Sequence, residues 1–155
     1  MGKIRIEFER IIDPKILEYI LRDEDIFSQV IDDNVPRGTF SFSHEYMKSN
    51  ICLLIKLNGF HAGVIQLNRN NSILYECHLA MFPEYRKWSK KMGHAALKWI
   101  EENTQIKQIF ALVSVKRQEV MKLASQLGFK VTGIIPQSYL IGGELVDQLV
   151  FTWRA

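Results

Sequence analysis

The chain has 155 residues, 47% hydrophobic and 24% charged, with a formal net charge of +3 at pH 7. Those fractions belong to a folded globular chain and exclude disorder, collagen and coiled coil as wholes. So slight a charge gives no argument for nucleic acid across the whole surface. One domain over residues 1–155 is expected, long enough to bury a core without disulfides or metal. Cys52 and Cys77 each sit in an apolar run and read as reduced core thiols. The longest apolar runs, 51–55 and 109–113, fall far short of a membrane span of ~20 residues. Residues 1–6 alternate like a strand, not a signal peptide, so a soluble cytoplasmic protein is expected.

Ile4, Ile6 and Phe8 alternate with charge and predict a strand at 3–9. Asp13-Pro14 opens a helix, capped by the carboxylate and led by a proline that loses no bond, with Ile16, Tyr19 and Ile20 as its apolar stripe. Ile26, Phe27, Val30 and Ile31 suggest a short second helix at 25–31, followed by a loop at 32–43 and a helical turn at 44–48. Residues 51–57 and 60–67 are β-rich runs joined by Asn58-Gly59, the signature of a type I′ hairpin. A third run, 73–82, ends at Pro83. Trp88, Met92, Ala95, Ala96, Trp99 and Ile100 then mark a long amphipathic helix. A strand at 107–115 precedes a helix through Val120, Met121, Ala124 and Leu127 that Gly128 stops. Strands at 129–135 and 144–153 flank a loop at 136–142. The order β-α-α-β-β-β-α-β-α-β-β predicts an α/β (α+β) domain with a mixed sheet of about seven strands.

The stretch 73–97 carries the chemistry. A strand running through Pro83 into a helix that begins among Arg86, Lys87, Ser89, Lys90 and Lys91 sets unpaired N–H groups beside cations, an arrangement suited to phosphate. Cations are favoured at a helix C-terminus, so a cluster at the start wants an anion; the competing reading is a solvated helix face. His44, His61, His78 and His94 have no zinc-like spacing, and no Walker loop, dinucleotide fingerprint or serine elbow is present.

Residues 79–86 (Leu-Ala-Met-Phe-Pro-Glu-Tyr-Arg), the helix after them, and Leu127-Gly128-Phe129 with Gly133 resemble the GNAT N-acetyltransferase superfamily, in particular its small phage and prophage proteins and its ribosomal-protein-acetyltransferase-like branch. The resemblance extends over nearly the whole chain through the order of elements. It implies a sheet that splays between the strands at 73–82 and 107–115, with acetyl-CoA as co-substrate. Its pantetheine would pair with Leu79, Ala80 and Met81, and its pyrophosphate would sit on Arg86, Lys87, Trp88, Ser89, Lys90 and Lys91. The acceptor would enter between the first helices and 137–140. The family's loop glycines are replaced by Ser89 and Lys91 when counted from Arg86; a second register, Lys90-x-x-Gly93-x-Ala95, requires a longer loop. The family's usual Asn and Tyr positions hold Arg117 and Ala124, and Arg117 is a candidate for a CoA phosphate or the thiolate.

Acetylating an amine requires a base. Glu76 and His78 share one face of their strand, opposite Tyr75, Cys77 and Leu79, unless a bulge blurs that parity. Glu76 stands between acid/base work and pairing with a cation, His78 between a base and a hydrogen-bonded structural role, and Cys77 reads as a core thiol. Tyr139 is a substrate wall, a replacement acid or an exposed loop tyrosine, while Phe40, Phe42 and Tyr46 either line an acceptor pocket or cover the sheet. The expected activity is direct acetyl transfer to a primary amine of a small molecule or protein, stabilised by N–H groups around 79–81. The rival is a GNAT-fold chain, for example phage-encoded, that binds a protein without catalysis. Nucleic-acid binding through 86–98 ranks below both. Leu145, Leu149 and Phe151 either pair across a homodimer or finish the core.

Overall fold

The computed structural model describes residues 2–26 and 41–155. Local signals start each element. Strand β1 is Ile6–Arg10, later by three residues than the alternation suggests. Asp13 Oδ1 accepts from the Lys15 N–H at 3.0 Å and Pro14 leads helix α1, Pro14–Leu21. The buried stripe of α1 is Leu17, Ile20 and Leu21, whereas Ile16 and Tyr19 are 47% and 82% exposed. Both sets fit a helical period, and the second layer of the core selects the first. The expected helix at 25–31 beyond Ile26, the loop at 32–43 before Ser41, and Phe40 lie outside the described residues. Ser43 then caps α2, His44–Ser49.

Strands β2 (Ile51–Leu57) and β3 (Phe60–Arg69) form the expected hairpin, with Asn58 and Gly59 at φ 51° and 85° as a type I′ turn demands. Strand β4 (Leu74–Met81) leads into a 3-10 helix, Pro83–Trp88, and directly into α3, Ser89–Asn103. Strand β5 (Gln108–Ser114) is followed by α4 (Gln118–Gln126), and Gly128 beyond it takes a φ of 93°. Strands β6 (Lys130–Ile141) and β7 (Glu144–Arg154) close the chain.

The loop expected at 136–142 is a correction. β6 runs through it, paired with β7 on both sides of a bulge between Ile135↔Gln148 and Tyr139↔Val146. Asp147 Oδ1 holds the Gln137 N–H at 2.9 Å, and Ser138 Oγ donates to the Ile135 carbonyl at 2.8 Å. Pro136 reads as a break in sequence, yet a bulge on an edge strand tolerates its missing N–H.

The seven strands form one mixed sheet ordered β1-β2-β3-β4-β5-β7-β6. Every neighbouring pair is antiparallel except β4–β5. On one face α3 and the residues around α4 cover a core of Leu53, Ile55, Leu67, Met92, Ile100, Ile109 and Phe151. On the other, α1 and α2 bury Leu17, Leu21 and Met47 against Cys52, Leu54, Val64 and Ala80. Leu149 and Phe151 finish the first core, while Leu145 stays exposed. No helix among the described residues is long and apolar enough to cross a membrane.

Candidate functional site

Strands β4 and β5 pair at only three rungs, Leu74↔Gln108, Tyr75↔Ile109 and Glu76↔Phe110, although both continue well beyond them. A cleft therefore opens between residues 77–81 and 111–114. The Phe82 N–H donates back to the Ala62 carbonyl at 2.9 Å, on the β3 side. The two-residue alternation of an antiparallel ladder then turns the N–H and C=O groups of Cys77 and Leu79 towards the cleft. Because β4 and β5 are parallel, the starts of α3 and α4 lie at the same, open end. That end gathers Arg86, Lys87, Lys90 and Lys91 from one strand and Arg117, which stands at the N-cap of α4, from the other.

No side chain caps the start of α3, and its first turn holds no acidic residue. Lys87 and Lys91 place their Nζ atoms 5.6 Å from the Trp88 ring centroid, and both are exposed together with Arg86 and Lys90. Ser89 Oγ donates to the Arg86 carbonyl at 2.6 Å and lies 3.3 Å from Met81 Sδ, fixing the turn to the end of β4. The register of this turn is decided by packing. Gly93 is buried inside α3, where an added Cβ would stand 2.6 Å from Leu127 Cδ1, so it serves the contact with α4 and not the loop.

On the sheet face covered by α1 and α2, Glu76 and His78 meet: Glu76 Oε1 accepts from His78 Nε2 at 2.8 Å. The pairing of β3 with β4 runs from Arg69↔Tyr75 to Gly63↔Met81 without a shift, so the parity read from sequence holds. The bulge considered for β4 is absent there, and one lies in β3 at Ala62, opposite Ile55 and Lys56 of β2. Glu76 is 24% exposed and His78 43%, and His78 is the first side chain on that face beyond the last β4–β5 rung. A carboxylate can only accept, so the neutral imidazole carries its proton on Nε2 and a lone pair on Nδ1. Beside the pair, Tyr46 OH donates to Asn68 Oδ1 at 2.5 Å and accepts from Gln66 Nε2 at 3.2 Å. Burial chiefly, with the Cys52 thiol and the Glu76 carboxylate adding, raises the Tyr46 pKa above its ordinary value. Sequence reasoning does not single out Gln66 and Asn68; two amides two residues apart in the otherwise apolar run 62–68 are the available signal.

The other candidates separate. Ala80 and Met81 are buried, with Ala80 in the α1–α2 core and Met81 in the α3 core. Burial pushes the Cys77 thiol up to about 12 and the Cys52 thiol to about 11, so neither serves as a thiolate nucleophile. Tyr139 lies on β6, three strand positions from β4, about 14 Å across a sheet. The structure therefore does not bring it to the Glu76–His78 pair. Ala124 packs on the α3 core, and α4 brings no proton donor to the family's tyrosine position. Among the described residues no three His, Cys, Asp or Glu side chains are grouped to hold a metal. Two surface concavities, lined by Lys3, Ile4, Arg5 and Asn58 and by Lys15, Glu18, Tyr19, Arg22 and Asp23, lie away from the cleft.

The seven-stranded mixed sheet flanked by helices is shared with solved structures. A spermidine N-acetyltransferase from Vibrio cholerae, solved with CoA and spermine, superposes with a TM-score of 0.76 at 13% identity, covering 96% of this chain and 95% of its own. An acetyltransferase of the GNAT family from Streptococcus pneumoniae does so with a TM-score of 0.73 at 14% identity, covering 97% and 99%. The chain has the GNAT fold. At such identities the likeness is one of fold, and no family model matches the sequence. Protein gp14 of Salmonella phage P22 is 26% identical over 97 residues, 63% of this chain. The chain matches 62% of that relative's length, less than two thirds.

Proposed function

We propose that this GNAT-fold chain is an acetyl-CoA-dependent N-acetyltransferase whose acceptor is a primary amine. The observation that carries the reading is the early end of the β4–β5 ladder, which leaves a cleft with cations at its mouth. The residues present fit the group. Cys77 and Leu79 offer backbone donors and acceptors along the cleft, while Arg86, Lys87, Lys90 and Lys91 stand at an uncapped helix start suited to phosphates. Lys91 stands where a small residue normally permits close backbone approach, so these lysines hold phosphate by charge. Arg117 adds a cation at the same end.

Acetyl-CoA supplies a thioester carbonyl as acyl donor. Glu76 orients His78, whose Nδ1 takes a proton from the acceptor nitrogen so that its lone pair is free to attack. The carbonyl oxygen gathers charge as the nitrogen bonds to carbon, and a backbone N–H of 77–81 stabilises it. The carbon–sulfur bond then breaks, the electron pair leaving on sulfur, and the nitrogen, cationic after its attack, gives its second proton to solvent. With Ala124 in place of the family's tyrosine, that sulfur takes its proton from solvent or from protonated His78. The Vibrio relative solved with spermine supports a small-molecule amine as the acceptor class. A cytoplasmic setting accords with two free thiols and this co-substrate.

Calorimetric titration with acetyl-CoA tests the reading. Binding in the micromolar range that weakens about tenfold in Arg86→Ala and in Lys90→Ala is expected, each removing one phosphate contact. No heat at millimolar acetyl-CoA would remove the enzyme reading, leave the fold standing and turn attention to a protein partner.

A further inference from the structure

The Glu76–His78 pair faces two amides across the β3–β4 ladder. Gln66 stands opposite His78 and Asn68 opposite Glu76, with Cα atoms about 5.5 Å apart in such hydrogen-bonded pairs. Either neighbour is chemically able to intercept the pair. A free Gln66 N–H can donate to the Glu76 carboxylate or to an imidazole lone pair, and a free Asn68 oxygen can take the imidazole N–H that Glu76 accepts.

In the structure one phenol engages both groups. Gln66 Nε2 donates to Tyr46 OH at 3.2 Å, and Tyr46 OH donates to Asn68 Oδ1 at 2.5 Å. This order also fixes both planar amides, since each has one end committed to the phenol. Tyr46 is itself held firmly. Its N–H donates to Ser43 Oγ at 3.0 Å, and its carbonyl accepts from the Asn50 side chain and backbone, each at 3.0 Å. Its ring packs 4.9 Å from that of Phe42. Gln66 is buried, so an amide released from the phenol has nowhere to satisfy itself except among these neighbours.

We infer that Tyr46 is a positioning residue for His78: by engaging Gln66 and Asn68 it keeps the imidazole Nε2–H on Glu76 and the lone pair on Nδ1. The titratable groups acting on Tyr46 are Cys52 on β2 and Glu76 on β4, with Arg10 acting on Cys52; Glu18 on α1 holds the Phe42 N–H, and Lys56 pairs with Glu9 farther along the same face. Glu76 is thus the charge that the imidazole meets directly. The meaning of the device rests on the reading of His78 as the proton acceptor, but the hydrogen-bond order belongs to the resting protein and is measurable without turnover.

The test is long-range 1H–15N spectroscopy of the full chain labelled in histidine, followed through the His78 titration. Wild type should show neutral His78 as the Nε2–H tautomer alone. Glu76→Gln, the reference for a disturbed pair, should mix the two tautomers. Tyr46→Phe keeps the ring and its packing on Phe42 and loses only the hydroxyl; it should mix them as well. Tyr46→Met frees the same two amides while keeping an apolar side chain against Phe42, should act in the same direction, and decides the matter if Tyr46→Phe does not fold. A single unchanged tautomer in both folded variants, beside a mixture in Glu76→Gln, would overturn the inference and leave Tyr46 as an anchor of α2. The spectra decide this even if no acetyl transfer is found, so the two readings fail separately. In an active enzyme, Tyr46→Phe should lower kcat with the KM for acetyl-CoA unchanged.

Discussion

The sheet has two unlike halves. Strands β2 to β4 are enclosed between α1 and α2 on one face and α3 on the other, and all three contribute to both apolar cores. Strands β5 and β7 contribute to one core only, and no β6 residue belongs to either. On their second face, Phe110, Leu112 and Val150 are half-buried, while Ile135 on β6 is 40% exposed. The difference teaches where the chemistry belongs. The enclosed half fixes Glu76 and His78 on a rigid strand, the thinner half is free to lean away from β4, and the cleft is the seam between them.

The sharpest test of that contrast is stability. Leu67, fully buried in the enclosed half, should cost about 3 kcal/mol when cut to Ala, whereas Leu112→Ala should cost under about 1.5 kcal/mol, both read from urea midpoints at constant m. Equal losses would break the distinction between the halves. Gly63→Ala belongs with the large effects, since its Cβ would stand 2.3 Å from the Ala80 carbonyl oxygen in the β3–β4 ladder. A loss of about 2 kcal/mol is expected from such overpacking.

Activity comes next in size. His78→Ala should lower kcat/KM for the amine by about 100-fold at neutral pH, the usual contribution of a general base, with acetyl-CoA affinity unchanged. An unchanged kcat/KM would take proton acceptance away from β4.

The smallest expected effect concerns pH. The folded Cys52 and Cys77 pKa values are raised by burial to about 11 and about 12 from a model-thiol value of 9.0. Below pH 9 both states hold their protons and the stabilisation is fully present. Above it the unfolded thiols ionise first, so stability should fall as pH rises from about 9 towards the folded values. Both thiols lie in the enclosed half, one on each face. Cys77→Ala should flatten the alkaline decline of the urea midpoint, and an unchanged decline would mean that the thiol is not enclosed.

Much of this architecture is written in short-range signals. Asp13-Pro14, Asn58-Gly59 and Gly128 each dictate a local backbone geometry, and the Met92/Ala96/Ile100 spacing dictates the buried face of α3. Where two periodic solutions coexist, as in α1, only the layer packed against it chooses, and so Ile16 and Tyr19 point outward. β6 was obscured because Pro136 and a left-handed Gln137, φ 47°, mimic a loop while Asp147 on the partner strand supports the bulge. The Glu76–His78 pair was legible from period-2 parity along one strand. The Tyr46–Gln66–Asn68 network was not, because it depends on how α2 settles over β3 and on the register of β3 against β4. Tyr139 shows the converse: proximity to a supposed loop suggested a site, and strand order removes it from the pair.

The central claim is that acetyl-CoA occupies the seam between β4 and β5. Titration of acetyl-CoA into 15N-labelled protein, followed by backbone amide shifts, tests it most directly. The account predicts shifts confined to 77–81 on β4, 86–92 at the start of α3 and 111–117 at the end of β5, with β1 and β2 unmoved. Saturable shifts centred elsewhere, or none at millimolar ligand, would contradict it.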